Sequence, residues 1–191
     1  MEAEVFAAAC IAGGVRVLEM TNRGPAALPV FKHLRATFPD VAPGIGSILD
    51  ASTAALFIAY GAEFVVGPNF DRETALMCNA HKIAYIPGCG TLTEIHEAER
   101  PGAEIVRLFP ASVYGPQFVR AVRIPMPQTR IMPTGGIATT EANVREWASA
   151  GAWCSGVGSS LAKENDVEIT CGQLISWFDQ FSIVWCVNRD H

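Results

Sequence analysis

Short apolar runs alternate with helix-compatible runs along this chain, roughly every 20 to 25 residues, and that rhythm leaves few folds open. Strand character falls at 15–19, 40–45, 63–66, 83–86, 104–109, 129–132 and 151–154. Helical character falls at 2–12, 25–38, 53–60, 72–81, 92–100, 114–122, 141–150 and 167–179, and several of these runs stop at glycine. Brief strands separated by helices imply a parallel sheet covered by helices. Right-handed crossovers then leave two arrangements, a closed barrel or an open doubly wound sheet.

Two glycine-rich turns favour the barrel. Pro133-Thr134-Gly135-Gly136-Ile137 and Gly156-Val157-Gly158-Ser159-Ser160 each follow a short apolar segment and precede a helix-compatible stretch. Glycine allows a tight turn and close approach to a ligand, and amides at a helix start attract an anion. Such turns on two consecutive late strands describe the phosphate site of a (β/α)8 barrel. No GxGxxG follows the first strand, which counts against a dinucleotide fold. The expected architecture is a single α/β domain over residues 1–191, a (β/α)8 barrel. It begins on a helix, lacks the usual N-terminal strand and yields only seven strands. The tail at 181–191 holds a strand-like run, 181–187, that fills the gap as an eighth strand, continues the last helix or packs on the surface.

A chain of 191 residues can bury a full core, and half its residues are apolar. A net charge of −5 argues against a nucleic-acid partner but leaves room for a small anion held by local arginines. No apolar run approaches the ~18 residues needed to cross a bilayer, so no membrane partner is expected. Met1-Glu2-Ala3-Glu4 is acidic, unlike a signal peptide. Six cysteines lie scattered without a CxxC, and their spacing suits neither zinc nor a disulfide framework. Reduced cytoplasmic cysteines, no metal and no cofactor are the expectation.

In a parallel barrel the carboxyl ends of the strands face the active site. Those positions hold Glu19, Thr21, Arg23, Ser47, Pro68, Pro87, Arg107, Phe109 and Thr134. Glu19 closes an apolar strand, so it is either a desolvated proton shuttle or a structural acid paired with an arginine. Arg23 is either a carboxylate fork or a solvated loop charge.

The motifs Val17-Leu18-Glu19-Met20-Thr21-Asn22-Arg23, Gly44-Ile45-Gly46-Ser47, Gly67-Pro68, Ile86-Pro87-Gly88, Leu108-Phe109-Pro110-Ala111 and Pro133-Thr134-Gly135-Gly136-Ile137 fall in one order. That series resembles the 2-keto-3-deoxy-6-phosphogluconate (KDPG) and 4-hydroxy-2-oxoglutarate (KHG) aldolases over residues 2–165. The resemblance implies a cytoplasmic, homotrimeric lyase that cleaves a 2-oxo acid to pyruvate and an aldehyde through a lysine Schiff base. It implies Glu19 as the general acid/base, and Thr21, Arg23, Ser47 and Thr134 on the oxo acid. Pro68 and Phe109 would line the pocket, and Gly135, Gly136, Gly158 and Ser159 would hold a phosphate.

One position departs from that pattern. The Schiff-base lysine stands two residues before the Phe109 equivalent, where this chain has Arg107. A guanidinium stays protonated and is a very poor carbonyl nucleophile. The three lysines, Lys32, Lys82 and Lys163, fall on a helix, before a strand and beyond the last glycine turn. Three readings stay open: a lyase with lost or altered activity, a non-catalytic binder of an oxo acid or phosphate, and an enzyme that enolises or decarboxylates without an imine.

Overall fold

The computed structural model describes residues 2–177 and 184–187. The chain runs α1 (Glu2–Ala12), β1 (Val17–Thr21), α2 (Ala27–Thr37), β2 (Ala42–Gly46), α3 (Ala51–Ala59) and β3 (Phe64–Val66). It continues α4 (Arg72–His81), β4 (Ala84–Ile86), β5 (Gly88–Cys89), α5 (Leu92–Glu99), β6 (Val106–Leu108), α6 (Ala111–Tyr114) and α7 (Pro116–Val122). The last elements are β7 (Ile131–Pro133), α8 (Glu141–Ala150), β8 (Ser155–Val157), a 3₁₀ turn (Leu161–Lys163), α9 (Val167–Trp177) and β9 (Val184–Val187). Helix starts are written in the sequence. The side chains of Asp50, Asp71 and Thr91 accept from the backbone N–H groups of Thr53, Thr74 and Glu94, which satisfies donors that a first turn leaves open.

All strand pairings are parallel, in two sheets ordered β4-β3-β2-β1-β9-β8 and β5-β6-β7. The sheets meet at both ends. β4 passes into β5 through Pro87, and Thr134, one residue past β7, bridges in parallel to Gly156 of β8. Side chains from both sheets share one inner cluster: Phe64, Val66, Ile86, Met132 and Cys154, with Val17 and Ile105 packed on it. The alternate residues face outward under the helices. On β6, for instance, Val106 and Leu108 join Val119, Val144 and Trp147 in the largest cluster. Phe31, Ile45, Phe57 and Val65 form a second outer cluster beneath α2 and α3.

Four local expectations change. The apolar run 151–154 is the connection leaving α8, and the strand is Ser155–Val157. Ala152 and Cys154 are buried, but Trp153 is 46% exposed with the Arg130 guanidinium 4.6 Å over its ring. Apolar composition there reports burial rather than strand pairing. The helix expected over 114–122 divides into α6 and α7, because Gly115 turns at φ 72 and Pro116 opens a new helix. The strand run expected over 83–86 does not end there: Gly88–Cys89 form a further strand paired with Arg107 and Leu108, past Pro87.

The glycine turns do not run straight into α-helices. Gly135 and Gly136 turn at φ 86 and 89, yet α8 starts only at Glu141. The intervening loop is tied down: the Ser160 hydroxyl donates to the Ile137 carbonyl (2.6 Å), and Ala138 N–H donates to the Asn143 side chain (2.9 Å). Gly158 leads only into the three-residue 3₁₀ turn. Of the expected tail, 184–187 form β9, while 181–183 and 188–191 lie outside the described residues.

Candidate active site

Because every strand is parallel, the residues at their carboxyl ends collect at one end of the sheets. Glu19 and Thr21 lie on β1, Ser47 follows β2, and Pro68 follows β3 by two residues. Arg107 is at the centre of β6, Phe109 is just past it, and Thr134, Gly135 and Gly136 follow β7. Gly158 and Ser159 follow β8. Arg23 lies two residues beyond β1, near enough to Glu19 and Arg107 to act electrostatically on both.

The two charged residues of the inner face are deeply buried, Glu19 at 2% exposure and Arg107 at 7%. Among the described residues, neither Glu19 carboxylate oxygen has a hydrogen-bond partner, and neither does Arg107 Nε. The hydroxyls of Thr21 and Thr134 are also buried and unpartnered. Ser155 shares that condition, but strand alternation turns it away from Cys154 and Gly156, which face inward. The Arg107 guanidinium lies over the Phe109 ring, 4.3 Å from its centroid, and the stack fixes its plane. Folded proteins pair nearly all such groups, so four orphaned residues at one mouth mark a place built for a polar ligand.

Sequence reading missed how room is made for them. Each inward polar residue stands beside a glycine on the neighbouring strand: Thr21 opposite Gly46, Arg107 opposite Gly88, Thr134 opposite Gly156. A Cβ on Gly46 would collide with Glu19 Oε1, and one on Gly156 with Thr134 Oγ1. The signal lay in glycines spaced two apart, as in Gly44-Ile45-Gly46, where a strand must leave its inner face bare. Ser112 was also missed. It packs against Gly136, and its N–H donates to the Gly135 carbonyl (2.9 Å).

Burial pushes the Glu19 carboxyl above its usual range, against the pull of Arg107 and then Arg23. Burial draws the Arg107 guanidinium down, opposed by Glu19, yet arginine starts so high that it stays charged. Glu19 therefore carries a pH signature. A folded value above the unfolded one means the native state holds a proton that the unfolded state has lost, so stability falls as pH rises through that window. Glu19→Gln abolishes the effect. Its stability relative to the parent should rise with pH from the ordinary carboxyl range, 4.5, upward and then level off. Paired urea titrations at several pH values read this, and a flat difference would contradict it.

Ser47 adopts φ 62, a left-handed conformation that costs a side-chain-bearing residue. Ser47→Gly should therefore gain about 0.5–1 kcal/mol of stability after the added chain entropy of glycine is subtracted. No gain in chemical denaturation would show the loop to be relaxed.

The lysines stand elsewhere. Lys32 Nζ lies 4.6 Å over the Tyr60 ring, outside the sheets, and Lys163 ends the 3₁₀ turn. Lys82 borders a cleft of about 470 Å³ with Asn79, Pro101 and Glu104, at the amino ends of β4 and β6. That cleft lies opposite the site. Among the described residues, no group of three His, Cys, Asp or Glu side chains could hold a metal ion, and no helix is long and apolar enough to cross a membrane.

Residues 1–173 match the family described as "Aldolase: KDPG and KHG aldolase". A 2-dehydro-3-deoxy-phosphogluconate aldolase of Treponema pallidum is 35% identical over 158 residues, covering 80% of this chain and 75% of that protein. The crystal structure of a KDPG aldolase from Legionella pneumophila, holding pyruvate as a covalent carbinolamine, is 29% identical with a TM-score of 0.80. It covers 91% of this chain and 85% of its own. The 2-keto-3-deoxy-6-phosphogluconate aldolase of Zymomonas mobilis ZM4, solved with 3-phosphoglycerate, is 26% identical with a TM-score of 0.80, covering 95% and 87%.

Proposed function

The chain belongs to the KDPG and KHG aldolase family, and from that premise we propose that it is a (β/α)8-barrel protein that binds a 2-oxo acid with Arg107 in place of an imine-forming lysine. The observation that carries this reading is the buried, unpartnered set of Glu19, Thr21, Arg107 and Thr134 at one mouth. Arg107 and the threonine hydroxyls are donors. A carboxylate next to a carbonyl offers the matching acceptors. Arg23 and Ser47 stand at the rim to hold the carboxylate, and Pro68 and Phe109 wall the pocket. Gly135, Gly136, Gly158 and Ser159 receive the phosphate of a 2-oxo-3-deoxy-6-phospho sugar acid. The unphosphorylated alternative is 4-hydroxy-2-oxoglutarate. Cytoplasmic location and a homotrimer belong to the same proposal.

For cleavage, ionised Glu19 takes the proton of the C4 hydroxyl, and the C3–C4 bond breaks to release the aldehyde. The electron pair passes into C2–O as an enolate, which Arg107 holds through charge-assisted hydrogen bonds. Glu19 returns its proton to C3 and yields pyruvate. The proton balance closes, but an enolate is a poorer resting place for the electron pair than an enamine. Turnover is therefore expected near background.

Arg107 itself favours a second reading, a non-catalytic binder, because it attracts an oxo acid without reacting with it. Exchange of pyruvate methyl protons in deuterated water separates the two. Exchange that depends on Glu19 supports imine-free enolisation, and binding without exchange supports the binder. Failure of pyruvate and of both aldol substrates to bind would overturn both readings.

A further inference from the structure

We propose that β9 is the positioning strand for Glu19: slotted between β8 and β1, it fixes the strand that carries the buried carboxylate. β1 is bonded on one flank to β2, through register pairs from Val17↔Ala42 to Thr21↔Gly46. On its other flank it meets β9, through Val17↔Trp185, Leu18↔Cys186 and Glu19↔Val187. The far side of β9 pairs with β8, through Ser155↔Val184, Gly156↔Trp185 and Val157↔Cys186. One short strand thus ties the Glu19 strand to the strand whose Gly156 bridges to Thr134.

The β9–β1 joint differs from its neighbours in how it is held. A helix lies between β1 and β2, β2 and β3, β3 and β4, β5 and β6, β6 and β7, β7 and β8, and β8 and β9. β9 and β1 come from opposite ends of the described chain, so no crossover links them. Their backbone ladder holds them, backed from outside by α1 against α9. At that contact a Cβ on Gly13 would collide with the Glu168 carbonyl and the Cys171 side chain. Without β9, β1 would present a bare edge at Val17–Glu19. Water would then reach the carboxylate, whose strand is flanked on its other side by the glycine-lined β2. The tail acts on the site by keeping Glu19 dry.

Amide hydrogen exchange on the full-length protein tests this directly. Amides of 184–187 and of 17–19 should both exchange slowly in the parent protein. Cys186→Pro removes a backbone donor from the middle of a strand paired on both flanks. It should speed exchange at 17–19 and 155–157 by about 100-fold while leaving β3, at 64–66, protected. The Glu19 carboxyl, followed by ¹³C NMR, should titrate lower in Cys186→Pro as water enters. Free-peptide exchange at 184–187 beside protected 17–19 in the parent protein would overturn the proposal, whether or not the proline variant folds. So would unchanged exchange and Glu19 titration in Cys186→Pro, or acceleration spread equally over β3.

Discussion

Arg107→Lys should convert a protein that leaves no borohydride-trapped pyruvate adduct into one that is trapped at residue 107. Cleavage of a phosphorylated or unphosphorylated 2-oxo aldol should rise with it by several powers of ten. Imine formation needs a neutral amine, and lysine at a reference value of ~10.4 can be brought into range by burial, whereas arginine above ~12 cannot. The position is ready for that change. Residue 107 is buried, and burial favours a neutral amine. It shares its mouth with Glu19, whose carboxyl burial raises above its ordinary range, which favours a carboxyl that takes up and returns a proton. Each factor of ten is ~1.4 kcal/mol of barrier, so regaining a covalent route is the largest single kinetic effect the site offers. Lysine loses the planar stack on Phe109, so recovery should be partial. Robust parental cleavage with an adduct on Lys163 would show that another lysine supplies the nucleophile. Trapping at 107 with no gain in cleavage would show that the imine forms but Glu19 is misplaced for the later steps.

The sequence made the alternation, the parallel sheets and the shared end of the site residues legible, because strand runs such as Phe64–Val66 and helices such as Arg72–His81 carry their own boundaries. β8 was misplaced because Ala152 and Cys154 advertise burial, while Ser155 and Gly156 have little strand propensity and pair only through tertiary context. Glu19 and Arg107 stood out as charges ending apolar strands. Gly156, which faces Thr134, reads in sequence as part of a turn, since a bare strand face and a turn use the same residue. Packing depth was invisible too: nothing local in Thr21 or Thr134 reports an unpartnered hydroxyl.

Gly88→Ala should be the most damaging single-methyl change at the site. A Cβ there would collide with the Pro68 carbonyl and approach Asn69 N, all of them backbone atoms. No rotamer can relieve such a clash, so either β5 or the loop after β3 must move. Moving β5 disturbs the pairing of Gly88 with Arg107, and moving the loop displaces Pro68. Overpacking typically costs about 1–3 kcal/mol, and a clash with backbone on both sides belongs at the upper end, about 3 kcal/mol. In a chain of this size, that lowers Tm by roughly 5–12 °C. Gly46→Ala should cost less, since Glu19, a side chain, can give way. Gly172→Ala supplies the opposite sign. Gly172 is exposed in α9 with only the Gly13 carbonyl near its Cβ position, at 3.9 Å. Alanine there should stabilise by about 0.5–1 kcal/mol through helix propensity. Thermal denaturation of the three variants should therefore rank Gly172→Ala above the parent, and Gly46→Ala above Gly88→Ala. Parental stability in Gly88→Ala would mean that β5 and the Pro68 loop stand further apart than the structure places them, and that the wall beside Arg107 is open.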